Sequence, residues 1–254
     1  MNPLAIAVVV LGCVFGGALA GLFLRTRLPD HHLKDDSKEI IKLGIGVIST
    51  MAALVLGLLV SSAKESFDRT GDELTQAAAR TVQLDTVLAQ YGVDATEVRG
   101  RLRQNYRAWV DAMLSQDASL LAEIRAPKAG ARVADVQAGV RALGPISDEQ
   151  RSLRSQALAL AEEVGATRVL LLLQQHDSIS TPLLAVVVAW LTLIFVGFGL
   201  FTPRNATVIA SLFLCAGAVS GAIFLILEMD DPLAGMVRIS DEPMRRALAI
   251  LTNG

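Results

Sequence analysis

Seven positions along one stretch of the chain carry side chains suited to meeting an ion: Lys42, Gly46, Thr50, Ala53, Gly57, Ser61 and Lys64. At about 100° per residue they fall on one side of a helix. Hydroxyls, and backbone left uncovered by glycine, present dipoles of either sign, and a lysine closes each end. The opposite side carries Ile48, Met51, Val55, Leu58 and Leu59. Two readings of the small side are open. It packs closely against another helix, as small residues do in membranes, or it lines a water-filled path shared by several copies of the chain. In the second reading each copy adds a lysine to each mouth, and rings of lysine favour anions. The preference is mild, because wet charges are screened over about 8 Å at physiological salt and Glu39 and Glu65 stand nearby.

Other constellations are weaker. Asp30, His31, His32, Asp35 and Asp36 offer metal-ligating groups, but adjacent histidines on a loop diverge and lack the i, i+4 partner that shares one helix face. A solvated interfacial loop is the plainer reading, with histidine leaving it responsive to pH near neutrality. No Gly-rich phosphate loop and no Ser-His-Asp order is present. Proton relays, carriers and intramembrane hydrolases place ionisable residues inside their spans. The four apolar runs contain none, so no enzyme is expected. Cys13 and Cys215 both sit in apolar runs and suggest no disulfide or metal spacing.

These residues are carried by an apolar chain. Of 254 residues, 52% are hydrophobic and 19% charged, and the mean hydropathy is +0.48. That balance fits several membrane spans rather than a soluble domain. A net charge of -2 with no basic stripe argues against a nucleic-acid partner. The apolar runs are Leu4 to Leu24, Leu43 to Val60, Pro182 to Phe201 and Ala206 to Leu227, each long enough to span. The first is not read as a cleaved signal peptide, since Met1-Asn2-Pro3 has no basic segment and the run is too long.

The expected fold is all-α: spans 1 and 2 in residues 1–60, a helical extramembrane domain in 61–181, spans 3 and 4 in 182–227, and a tail in 228–254. No break separates Val60 from Lys64, so the second span continues as helix to Tyr91, where Gly92 ends it. A further helix is expected from Asp94, capped by Glu97, to about Ile124, with Ala126 to Gly130 as a break. A short helix follows over Arg132 to Leu143, then one capped by Ser147 and Gln150 that reaches about Gln175. Thr202-Pro203-Arg204-Asn205 makes a tight hairpin, and the tail carries a helix near Pro243 to Leu251. Asp85 and Arg168, in apolar surroundings, are expected to pair. Arginine and lysine near the spans lean slightly toward the short loops being cytoplasmic.

Several segments in order resemble a known family. They are Leu28-Pro29-Asp30-His31-His32-Leu33, Met51 to Leu59, Ser66-Phe67-Asp68, Leu84-Asp85, Tyr91-Gly92, Pro203 to Thr207 and Ile226 to Asp230. The chain resembles the bacterial bestrophin-like membrane proteins over nearly its whole length, and through them the bestrophins. That resemblance implies a pentameric ion channel in the bacterial inner membrane. Its second span lines the pore and continues into a cytoplasmic helical domain, an orientation opposite to the charge count. The aromatic constriction of animal bestrophins has no counterpart, since Val47 to Leu59 holds no Phe or Tyr. Glu228, Asp230 and Asp231 resemble the acidic cluster that binds calcium after the last bestrophin span, against the plain reading of a polar stop. The implied partners are the lipid bilayer, further copies of the chain and inorganic ions. The competing function is a non-conducting membrane scaffold or sensor whose helical domain recruits a partner protein.

Overall fold

Hydrocarbon offers the backbone no hydrogen-bond partner, so a chain that crosses it must satisfy each span internally, as helix. The computed structural model describes residues 2–27, 35–114, 128–173, 180–230 and 236–253, with backbone alone for 35–37, 114, 128–133, 171–173 and 253. These residues form α1 (Pro3–Arg27), α2 (Asp35–Tyr91), a 3-10 turn (Val93–Ala95), α3 (Thr96–Leu114), α4 (Lys128–Ala142), α5 (Asp148–Leu173), α6 (Thr181–Phe201), α7 (Ala206–Asp230) and α8 (Glu242–Asn253). No strand occurs among them. The fold is all-α, and α1, α2, α6 and α7 are long and apolar enough to cross a membrane. At 57 residues α2 far exceeds what a bilayer needs. Its charge-free part, Leu43 to Val60, is long enough by itself to cross the hydrocarbon.

The helices sort into two units, Met1–Phe67 with Asp177–Val237, and Asp68–His176 with Arg238–Gly254. In the first, α1 and α6 run parallel and meet through glycine. A Cβ on Gly21 would lie 2.1 Å from the Val196 carbonyl oxygen, and one on Gly199 would lie 2.1 Å from the Ala18 oxygen. Small residues here let two backbones touch, the usual device where lipid removes any hydrophobic gain from helix pairing. Next to α1, α7 runs antiparallel, tied by the Ser220 hydroxyl donating to the Ala7 carbonyl at 2.5 Å. Phe15 and Phe213 meet edge to face, centroids 5.2 Å apart. Against α6, Ile45 of α2 fills the gap over Gly197. Val14, Ala18, Val187, Leu191, Ile223 and Ala52 lie in the resulting core.

The second unit is a helical cluster with its own core: Leu84, Leu88 and Tyr91 of α2, Val98 and Leu102 of α3, Val136 and Val140 of α4, and Ala157 and Ala161 of α5. Gly92 ends α2 with φ 109°, a left-handed conformation that costs other residues dearly. The cap expected at Ser147 and Gln150 is present. The Gln150 N–H donates to Ser147 Oγ at 3.1 Å, and Gln150 Oε1 accepts from the Ile146 N–H at 2.9 Å. Gln150 Nε2 also donates to the Tyr91 carbonyl at 3.2 Å, satisfying an acceptor that the end of α2 leaves open. Tyr106 is buried and its hydroxyl donates to the Met244 carbonyl at 3.3 Å, fastening α8 to α3. Burial pushes that phenol up to about 12, against the charge of Arg168.

Three local expectations are corrected, and one falls outside the described residues. The box expected between Asp94 and Glu97 does not form, because Val93–Ala95 closes as a 3-10 turn and α3 begins at Thr96. Glu97 instead pairs with Arg101 one turn on, at 2.6 Å. The last described residue of α3 is Leu114, and residues 115–127 lie outside the described set, so the stretch toward Ile124 does too. Lys128 to Gly130 belong to α4 rather than to a break, since Pro127 is tolerated just ahead of a helix. Asp85 pairs with α3: Arg99 reaches its Oδ2 at 2.9 Å and Arg103 at 3.1 Å. Arg168 stacks over Trp109, 5.3 Å from the ring centroid.

Burial alone raises the Asp85 carboxyl, but hydrogen bonds and charge from Arg99 and Arg103 outweigh it and hold the group below the usual carboxylate range. Its folded pKa is therefore depressed. The stabilisation is present above the unfolded value of about 3.9 and is lost as pH falls through the folded one. With the carboxylate side chain only 9% exposed, Asp85→Asn is expected to cost about 2 kcal/mol near neutrality and to remove this acid-dependent loss. Denaturant unfolding of the Trp190→Phe chain, followed through Trp109 at pH 7 and at about pH 2, measures both. In the first unit, Gly21→Ala or Gly199→Ala must push backbone aside and should cost about 1–3 kcal/mol. Gly46→Ala and Gly57→Ala meet nothing within 4 Å and should leave the Tm unchanged or raised, read by thermal unfolding in detergent.

Candidate pore-facing side of the second helix

Three sectors run along the spanning part of α2. Ala52, Leu59 and Ala63 are buried in the core, with Ile45, Ile48, Val55 and Leu56 packed beside them. Lys42, Gly46, Thr50, Ala53, Gly57, Ser61 and Lys64 form a second sector, and every one of them is exposed. Leu43, Val47, Met51, Leu54 and Leu58 form a third, also exposed. The side expected opposite the small residues is thus divided: Ile48, Val55 and Leu59 face the core, while Met51 and Leu58 stand outside it. The third sector went unseen in the sequence, although its spacing of three and four residues was there to find.

Among the described residues, no other helix packs against the small sector. A Cβ on Gly46 or Gly57 would meet nothing within 4 Å, whereas at Gly17, Gly21, Gly197 and Gly199 it would strike a neighbouring helix. Only 11% of the apolar window of α2 is buried, against 33% in α1 and α6 and 28% in α7. Glycine thus serves packing at the seam of α1 and α6, while Gly44, Gly46 and Gly57 of α2 stand open, as do Gly12 and Gly16 of α1 and Gly217 and Gly221 of α7. Within the sector, Thr50 Oγ1 donates to the Gly46 carbonyl at 3.0 Å. Beside it Ser49 donates to Ile45 at 2.8 Å. At one end the Lys42 ammonium lies 5.9 Å from the centroid of the Phe201 ring, which places it toward α6 at the border of the sector. Lys64 is exposed at the other end.

Of the metal-ligating candidates, only Glu228 and Asp230 have side chains among the described residues. His31 and His32 lie outside the described residues, as does Asp231. Glu228 is buried, at 5% exposure, and its Oε2 accepts from the backbone N–H of Met236 and of Val237. This carboxylate anchors the chain that follows α7. A hard cation asks for six or more oxygens, and no group of three or more His, Cys, Asp and Glu residues able to hold a metal ion occurs among the described residues. The described part of the acidic trio therefore fits calcium poorly, and Asp230 stands half-buried beside it. The one clue in the sequence is the place of Glu228 directly after the apolar run Ala206 to Leu227.

Comparison with known proteins adds one finding. No curated protein and no solved structure matches the chain. The family description "Bestrophin-like domain" matches residues 12–244, which takes in α1 from Gly12 onward, the whole of α2, α6 and α7, and most of the helical unit. With four helices of spanning length and that match, this multi-pass membrane protein belongs to the Bestrophin-like family.

Proposed function

We propose that the chain is one subunit of a homo-oligomeric ion channel, a pentamer in the bacterial inner membrane, with α2 lining the pore. The observation that carries this reading is the open small sector. Lys42, Gly46, Thr50, Ala53, Gly57, Ser61 and Lys64 are exposed along one side of a helix otherwise made for hydrocarbon. Single subunits do not leave such a strip to lipid: Thr50 and Ser61 gain nothing there, and lysines at a membrane face are tolerated chiefly near water. Repeated around an axis, the strip becomes a wetted wall. The adjoining apolar sector, Leu43 to Leu58, suits the contact with neighbouring subunits or lipid.

Conduction is passive in this reading, with no enzymatic step and no nucleic-acid partner. Anions are mildly preferred. Five copies of Lys64 at one mouth, with Lys42 at the border of the other, raise the local anion concentration, and screening keeps the effect small. The helical unit, residues 68–176 with the C-terminal helix, is assigned to the cytoplasm.

Two measurements test the reading. Val93 is 88% exposed in the second unit. A Val93→Cys chain with Cys13 and Cys215 replaced by serine should resist a membrane-impermeant maleimide in intact cells and label after lysis. Ready labelling in intact cells reverses the orientation. In planar bilayers under a KCl gradient, the purified protein should show a reversal potential displaced modestly toward chloride. Lys42→Glu with Lys64→Glu should move it toward potassium. A wild-type value at the potassium potential ends the claim of anion preference. The absence of any current from an intact oligomer favours the non-conducting scaffold.

A further inference from the structure

We propose that a small cavity inside the helical unit binds a monovalent anion, chloride, between the Arg168 guanidinium and the side-chain amide of Asn105. The cavity encloses about 20 Å³ where α2, α3, α4 and α5 converge, with Leu84, Leu102, Val136 and Val164 among its walls and Asn105 and Arg168 as its polar side chains. Those four apolar residues are all buried. One water molecule needs about 10–15 Å³ of such space, so the cavity takes a single particle of that size or slightly larger. A chloride ion is slightly larger than water.

The two polar side chains are built to donate. A guanidinium has five N–H groups and no acceptor, and an asparagine amide adds two donors. Arg168 lies with its face over Trp109, 5.3 Å from the ring centroid. The stack holds the group by its flat side, and the N–H bonds, which lie in the plane, point outward from the edge. Both side chains have other contacts, and with this many donors each serves more than one partner.

Charge decides between an ion and a water molecule, since either fits the space. The carboxylates next in the chain to the walls are met by arginines. Asp85, beside Leu84, faces both Arg99 and Arg103. Asp135, beside Val136, pairs with Arg101 at 3.1 Å, and Glu163, beside Val164, pairs with Arg80 at 3.1 Å. The charge of Arg168 is felt as far as the Tyr106 phenol, which it pulls down against the effect of burial. Buried apolar walls leave little water to screen that charge, so its attraction for an anion is stronger here than at the surface.

The test uses the full Trp190→Phe chain, in which Trp109 is the sole tryptophan, unfolded by urea in sodium chloride or in sodium gluconate at about 0.15 M. A ligand that binds only the folded state raises the folding equilibrium constant, and chloride should raise it about fivefold over gluconate. Asn105→Asp keeps the size of the side chain and places a fixed negative charge at the site, so the two salts should then act alike. Equal stability of the parent chain in both salts overturns the proposal and leaves the cavity to water. A chloride effect that persists in Asn105→Asp assigns the anion to another place and overturns it too. If Asn105→Asp does not fold, crystals of the full chain soaked in bromide decide: an anomalous peak in the cavity supports the proposal, and its absence there overturns it. None of these readouts involves a current, so the outcome is separate from whether α2 conducts.

Discussion

The arrangement of the spans depends on one close approach, the seam where Gly21 lies under the Val196 carbonyl and Gly199 under that of Ala18. Backbone contact at this distance needs the absence of two side chains, and it fixes α1 and α6 in parallel. Once they are joined, α7 has one place left beside α1, where Ser220 finds the Ala7 carbonyl. α2 then reaches the bundle only along the edge that carries Ala52, Leu59 and Ala63. Its exposed sectors are what remains after the other three helices have taken each other's faces.

The same helix also supplies part of the second unit's core through Leu84, Leu88 and Tyr91. There the chain follows the rules of soluble proteins. Apolar side chains drop below water, a carboxylate is met by two guanidinium groups, and helix ends are closed by Gly92, Ser147 and Gln150. Asp85 is well placed for this because α3 presents Arg99 and Arg103 one turn apart on the same side. Removing one partner leaves a charge with poor access to water, so the cost lies in the orphan rather than in the pair.

Much of this was legible in the sequence. The four apolar runs, the continuation of the second span to Tyr91 and the Ser147 cap are local signals, written in hydropathy, in glycine and in capping spacing. What was not legible depended on partners far away in the chain. Asp85 was matched with Arg168 on composition, yet the choice among arginines is made by the crossing of α2 and α3. The small side of α2 invited a packing reading because Gly46 and Gly57 are the residues that serve packing elsewhere. Nothing local distinguishes them from Gly17 and Gly21, and only the neighbouring helix does. Glu228 looked like a cation ligand for the same reason. A carboxylate's role is set by which donors arrive, and here they are the amides of Met236 and Val237.

The hydroxyl of Thr50 has a consequence for the water that meets it. Its proton is engaged by the Gly46 carbonyl, so toward the outside it presents lone pairs. Wherever that face is wet, a water molecule must point a hydrogen at Thr50 and turn its oxygen away from the helix. Water oriented in this way is half prepared as a ligand for a positive ion and poorly prepared for a negative one. Where it is wet, the middle of the strip and its lysine-bearing ends therefore polarise solvent in opposite senses.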